Sequence, residues 1–128
     1  MNNKIGYEVK KFEGKTRRYC QTIELRNDPQ LIAEYRQLHS DTQHWHEIRD
    51  GIKAVGILEM EIYILDNRLF MICEVPENFD FASAMEKLAT LPRQQEWEDY
   101  VARFQKCKSG DTSSQKWQLM DRMFYLYD

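Results

Sequence analysis

Hydrophobic and polar positions become regular near Arg18, and from there the chain divides into segments with the period of strands or helices. Residues 19–25 (Tyr-Cys-Gln-Thr-Ile-Glu-Leu) are rich in β-formers and predict a first strand. The pair Asp28-Pro29 predicts a helix start, because aspartate is a favoured N-cap and proline suits the first helical position. We predict that this helix runs to about Arg49 and that Asp50-Gly51 ends it.

A hairpin is predicted in the middle of the chain. Residues 54–65 alternate with the period of a strand. One face carries Leu58, Met60, Ile62 and Ile64, and the other carries Ile57, Glu59, Glu61 and Tyr63. The turn pair Asp66-Asn67 then leads into a second apolar run over residues 69–75, which Pro76 closes.

The rest of the chain predicts two more helical segments and a last strand. Residues 79–91 are helical by pattern, and a segment over 94–106 follows Pro92. This second segment carries Trp97, Tyr100, Val101 and Phe104 at helical spacing. Residues 108–114 predict a surface loop, and the aromatic run 122–127 predicts the final strand. The order β-α-β-β-α-β predicts an α+β, ferredoxin-like fold, with a four-stranded antiparallel sheet and both helices on one face.

The face of this sheet that the helices leave uncovered is expected to have a partner. Large side chains fall on both faces, including Tyr63, Phe70, Ile72 and Tyr125. We therefore expect a symmetric second copy, a ligand cavity, or both, on the second face. A homodimer that packs sheet against sheet would form a barrel-like interior suited to a small molecule.

Length and charge narrow the class of protein. The 128 residues suit one domain, which we expect over 18–128, with 1–17 disordered or loosely attached. The net charge of −3, without a basic block, argues against binding to nucleic acid or to an anionic membrane. No apolar run suggests a secretory signal or a membrane span, and three widely spaced cysteines fit the reducing cytoplasm.

The densest group of chemically active residues lies on the first predicted helix. Tyr35 and His39 are four residues apart and therefore share a helix face. Imidazole can give or take a proton near neutral pH, so this pair suits general acid–base chemistry, although an amphipathic helix with a half-exposed histidine also fits the spacing. His44 and His46 follow closely, but the spacing does not place three ligands on one face, and we expect no metal.

Other motifs define the chemistry only loosely. Trp97 fits a core position, but a tryptophan that faces a cavity can also stack on a sugar ring. No nucleophile elbow, phosphate-binding glycine loop or dinucleotide fingerprint is present in the sequence. The residues alone therefore indicate a small α+β domain with a possible His/Tyr/Trp pocket.

An ordered set of segments adds a family resemblance. It comprises 34–39 (Glu-Tyr-Arg-Gln-Leu-His), Trp45 with Glu47, Gly56, 61–63 (Glu-Ile-Tyr), 68–71 (Arg-Leu-Phe-Met), 95–97 (Gln-Glu-Trp) with Tyr100, and 123–126 (Met-Phe-Tyr-Leu). In these segments, from about Arg18 to the end, the chain resembles the L-rhamnose mutarotase family. The resemblance implies a dimeric α+β barrel that interconverts the α and β anomers of a 6-deoxyhexose without metal or organic cofactor.

The resemblance also implies roles for individual residues. His39 matches the family's proton donor, Tyr35 its sugar-binding tyrosine and Trp97 the tryptophan of the second helix. Two substrate-contact positions differ from the family pattern. Met60 lies where the family has a tyrosine, and Glu98 lies where it has a second tryptophan. The link 40–44 after the histidine is two residues longer than in the rhamnose enzymes, so L-rhamnose and L-fucose are both candidate substrates.

The proton acceptor and two alternative functions stay open at this point. A bound water, Glu98 or Glu59 could take the proton from the anomeric hydroxyl. A dimeric α+β barrel could also bind a small ligand without catalysis. A cofactor-free monooxygenase of the same architecture is the third possibility, and it would consume oxygen.

Overall fold

The computed structural model describes residues 5–40 and 44–127 and places four strands in one antiparallel sheet. The strands are β1 (Thr16–Glu24), β2 (Glu59–Leu65), β3 (Arg68–Pro76) and β4 (Gln118–Leu119). Their order across the sheet is β2-β3-β1-β4. This order, with helices in the connections, confirms the ferredoxin-like α+β prediction.

Five helices lie in the described ranges. They are α1 (Pro29–Leu38), α2 (His46–Ala54), α3 (Phe81–Leu88), α4 (Gln94–Val101) and the four-residue α5 (Ser113–Lys116). The segments predicted over 79–91 and 94–106 are therefore shorter in the structure than in the sequence prediction. Inside the segment 108–114, which was predicted as a loop, Ser113 already begins α5.

The prediction of one long helix to Arg49 is wrong. Its start is confirmed, because the Asp28 side chain accepts hydrogen bonds from the backbone N–H groups of Gln30 and Leu31. The helix ends at Leu38, and the His39 side chain there bonds to the Tyr35 carbonyl. A second helix, α2, follows the link.

Gly51 does not end a helix, contrary to the prediction. It lies within α2, where a Cβ atom would come within 3.4 Å of Leu91 and 3.6 Å of Leu88. Gly51 therefore faces α3 and the segment after it, at distances that are ordinary van der Waals contacts for a Cβ atom. The helix ends at Ala54, and Gly56 has a φ of +98°, a left-handed conformation that suits glycine.

The hairpin prediction is confirmed, although its first strand begins at Glu59 and not at Ala54. Asp66-Asn67 joins β2 to β3, and Ile62 pairs with Met71 while Ile64 pairs with Leu69. Leu69 in turn pairs with Ile23 of β1. Residues on this face of the sheet form the core together with the helices, and the most deeply buried large side chains are Leu25, Leu69, Val75, Val101 and Phe104.

The prediction of a final strand over 122–127 is wrong. The last strand is β4, which pairs with β1 at Gln21 and Thr22, and the Met120 N–H extends this pairing to the Cys20 carbonyl. A strand needs a neighbouring backbone to bond, and no pairing of 122–127 with another described segment is present. Its large side chains are exposed, with Met123 at 97% and Phe124 at 71%.

The second face of the sheet is partly exposed in the described part of the chain. Phe70 lies there, 37% exposed, opposite Thr22 of β1 and Tyr63 of β2. The Tyr7 ring contacts the Tyr63 ring edge-on, at 5.8 Å between centroids. Of the described helices, none combines the length and apolarity needed to cross a membrane.

Candidate active site

A cavity of about 390 Å³ lies between the helices and the core-facing side of the sheet. Its volume is within the range of about 300–1,000 Å³ that is typical of small-molecule sites. The expectation of a cavity on the second face is not met, because Met60, Ile62 and Met71 all belong to the face that the helices cover. All five residues proposed from the sequence line this cavity, namely Tyr35, His39, Met60, Trp97 and Glu98.

His39 sits at the C-terminus of α1, and its side chain has a defined orientation. Its Nδ1 is 2.8 Å from the carbonyl oxygen of Tyr35. A carbonyl can only accept, so Nδ1 carries the proton of this bond and Nε2 is the nitrogen that can exchange a proton with a ligand. Burial lowers the pKa of His39 below 6.5, partly offset by the bond to the Tyr35 carbonyl. The imidazolium form is therefore a stronger acid than free histidine.

Tyr35 is a neutral phenol one helical turn before His39. Its ring stacks on the imidazole with centroids 4.4 Å apart, and the edge of the Phe104 ring contacts it from the core. The side-chain amide of Gln105 donates a hydrogen bond to the hydroxyl oxygen at 3.2 Å. Burial raises the pKa of Tyr35 well above its ordinary value of 10, so the hydroxyl keeps its proton and can donate it to a ligand.

Trp97 forms an aromatic wall with Trp45. The Trp97 ring meets the His39 ring edge-on at 5.4 Å and the Trp45 ring at 5.2 Å. The guanidinium of Arg93 stacks over Trp45 at 4.1 Å, and Tyr100 contacts the same indole. Trp97 thus has both the packing of a core residue and a position at the cavity, which the sequence had presented as alternatives.

Glu98 contributes a buried carboxylate. Gln94 donates to its Oε2 at 2.6 Å, and the ammonium group of Lys116 is 2.9 Å from its Oε1. Burial raises the pKa of Glu98, while Lys116 and the Gln94 bond act in the opposite direction. Glu59, the other carboxylate considered as a base, also lines the cavity, and its side chain accepts a hydrogen bond from the Met60 N–H.

The three histidines do not converge. His44 lines the cavity, whereas His46 is exposed, with its Nδ1 3.2 Å from a carboxylate oxygen of Asp50. Residues 41–43 of the link lie outside the described ranges. Across residues 5–40 and 44–127, no three His, Cys, Asp or Glu side chains come together in a group that could hold a metal ion.

Sequence reasoning missed Gln94, Gln105 and Lys116. The spacing of Gln94 and Glu98, four residues apart on a helix, is a signal that could have identified that pair. Lys116 gave no signal, because lysine is almost always exposed. Its side chain is 0% exposed in the structure.

Comparison with known proteins identifies the family of this chain. A family model described as L-rhamnose mutarotase matches residues 18–126. An L-fucose mutarotase from Xanthomonas campestris is 36% identical over 109 residues, covering 85% of this chain and 87% of the relative. A protein from Dictyostelium discoideum that carries only a provisional group name is 32% identical, over 86% of this chain and 87% of its own length.

The fold also matches a solved structure. The crystal structure of an L-rhamnose mutarotase from Formosa agariphila superposes with a TM-score of 0.64, covering 87% of this chain and 99% of that one at 21% identity. At this identity the likeness supports the fold alone. The family model and the Xanthomonas campestris relative carry the assignment, and the chain belongs to the L-rhamnose mutarotase family of carbohydrate isomerases.

Proposed function

We propose that this protein interconverts the α and β anomers of a free 6-deoxyhexose, and that L-fucose is a better substrate than L-rhamnose. The observation that carries the activity is the cavity in which the His39 imidazole, the Tyr35 phenol and the Trp97 indole meet. The preference for L-fucose rests on the Xanthomonas campestris relative, which is named for that sugar and is 36% identical.

Mutarotation needs two coupled proton transfers. The ring opens when one group protonates the ring oxygen while another takes the proton of the anomeric hydroxyl. Rotation about the C1–C2 bond and the reverse transfers close the ring as the other anomer. His39 is the proposed donor to the ring oxygen, because Nε2 is the nitrogen left for a ligand and burial makes the imidazolium a stronger acid. The acceptor is a carboxylate of the cavity or a bound water.

The remaining residues bind the sugar in this proposal. The Tyr35 hydroxyl, held by Gln105, donates to a sugar hydroxyl. The Trp97 indole stacks on the C–H face of the ring, which suits the negative face of an aromatic system. Met60 provides an apolar contact, and Glu98 accepts a hydrogen bond from the substrate. No metal or organic cofactor takes part in this scheme.

Saturation-transfer NMR of L-fucose and L-rhamnose tests the function directly. We expect the protein to accelerate anomer exchange of L-fucose in proportion to its concentration, and L-rhamnose to a smaller extent. Sugar binding without acceleration would instead support the non-catalytic binding module. Oxygen uptake with an aromatic substrate, measured with an electrode, would support the monooxygenase.

We also propose that the protein is a cytoplasmic homodimer. All three cysteines are free, which fits a reducing compartment. The sheet face around Phe70 and the exposed apolar run 123–127 are surfaces that a second copy would cover. The side chains in this run are large and adjacent, unlike the scattered apolar residues of an ordinary monomer surface.

Replacement of Phe70 with arginine tests the homodimer. Analytical ultracentrifugation should give a dimer mass for the wild type and a monomer mass for Phe70→Arg, because a charge on the packed sheet face would remain buried without a partner. Arg17→Lys, at an exposed position of β1, serves as the control and should remain dimeric. A wild type that sediments as a monomer at all concentrations would refute the homodimer.

A further inference from the structure

Lys116 is a buried lysine that the proposed mechanism does not yet use. It ends the four-residue helix α5, and its side chain is 0% exposed. A capping box between Thr112 and Gln115 fixes the start of this helix. Ser113 and Trp117, on either side along the chain, both line the cavity.

The ammonium group of Lys116 makes two contacts, both with the same residue. Its Nζ is 2.9 Å from Oε1 of Glu98 and 2.5 Å from the Glu98 backbone carbonyl. The second carboxylate oxygen, Oε2, accepts the bond from Gln94. Three donor contacts therefore converge on one residue of the cavity wall and hold its carboxylate in a single orientation.

We propose that Lys116 is a positioning residue that keeps the Glu98 carboxylate ionised and fixed at the cavity wall, so that Glu98 takes the proton of the anomeric hydroxyl. The inference rests on the proposed mutarotase function and assigns the acceptor left open there. The proton passes from the anomeric oxygen to Glu98 as the ring oxygen receives one from His39, and both return on ring closure. No oxidant, reductant or net proton is required.

The surroundings of Glu98 favour this assignment over Glu59. Burial alone would disfavour the charged carboxylate, and Lys116 is the cation that opposes this effect. Asp99 on the same helix raises the pKa of Glu98, and Glu98 in turn raises that of Tyr35. Cys107 lies within the influence of both Lys116 and Glu98. Among the residues that the structure describes, no buried cation contacts Glu59, whose side chain accepts a hydrogen bond from the Met60 N–H.

Lys116→Met tests the inference through the pH profile of anomer exchange. Loss of the cation raises the pKa of Glu98, so the acidic limb of the profile should move to higher pH by roughly one unit or more, with about tenfold slower exchange on that limb. The basic limb belongs to His39 and should not move. Gln94→Leu, which removes an uncharged donor from the same carboxylate, is the matched control and should shift the acidic limb less.

A double variant separates a positioning role from a structural one. If Lys116 acts through Glu98, Lys116→Met should have no further effect on exchange in a Glu98→Gln background. An equal loss in both backgrounds, or an unchanged acidic limb in folded Lys116→Met, would overturn the inference.

Direct titration covers the case in which Lys116→Met fails to fold. Carbon-13 NMR of the Glu98 carboxyl in the wild type should show a titration that coincides with the acidic limb of activity. A carboxyl that titrates away from this limb would overturn the assignment of Glu98 as acceptor. The mutarotase function and the role of Glu98 fail in different experiments. A wild type that accelerates exchange of neither sugar would refute the mutarotase function. The Glu98 titration is measured without substrate and therefore tests the role of Glu98 separately.

Discussion

Replacement of His39 with alanine is expected to slow enzyme-catalysed anomer exchange by roughly 10²–10⁴-fold, the usual contribution of one general acid or base. The variant loses the imidazole whose Nε2 is left for proton exchange beside Tyr35 and Trp97. The side chain lies at a helix end and not in the deepest core, so the fold should persist. Saturation-transfer NMR measures the rate, and circular dichroism checks the fold.

His46→Ala is the matched control for this experiment. His46 is seven residues away in sequence, but its side chain is 73% exposed and pairs with Asp50 on the surface of α2. Exchange in this variant should equal that of the wild type. Wild-type exchange in folded His39→Ala would remove the imidazole from the mechanism, and an equal loss in both variants would indicate a general effect of changing the α1–α2 region.

The fold was predictable wherever local signals and tertiary packing agree. The turn pair Asp66-Asn67 between two apolar runs predicted the hairpin, and Asp66 has the left-handed φ of 54° that such a turn uses. The Asp28-Pro29 pair predicted the start of α1 for an equally local reason. In both cases the interaction that fixes the backbone lies within a few residues, so the sequence contains all of it.

Predictions were wrong wherever a distant contact decides the conformation. Gly51 resembles a helix terminator in the sequence, but in the structure it lies inside α2 next to Leu88 and Leu91, which are nearly 40 positions away. The run 122–127 has the composition of a strand, but pairing with β1 ends near Met120. Neither the distant neighbours of Gly51 nor the end of the pairing with β1 can be recognised from the sequence near the affected residues.

The candidate site shows the same difference between residues that local spacing places and residues that distant contacts place. Helical spacing brought Tyr35 and His39 together, and the structure places their rings 4.4 Å apart. Helical spacing left Trp97 as either a core or a cavity residue, and the resemblance was needed to propose Trp97 and Glu98 for the site, because they come from a helix more than 50 residues later. Lys116 and Gln105 could not be found by either route, since each is placed by a contact with a distant part of the chain, Lys116 with Glu98 of α4 and Gln105 with Tyr35 of α1.

Leu69→Ala is expected to lower the free energy of unfolding by about 2–5 kcal/mol, the cost of a cavity left by a buried leucine. Leu69 is 1% exposed, and its neighbours across the sheet are Ile23 and Ile64. Leu65→Ala in the same hairpin should change stability by less than about 0.5 kcal/mol, because Leu65 is 70% exposed. Urea unfolding of both variants measures the difference.

This matched pair tests the register that positions the site. Because side chains alternate across a strand, a shift of one residue in β2 or β3 would exchange the two faces of that strand. Met60 and Met71 line the cavity only in the observed register, in which they share a face with Leu69. If the two leucine variants were equally destabilised, the division between a covered and an open sheet face would be wrong. The cavity could then not lie between the helices and the sheet, because its position depends on that division of the two faces.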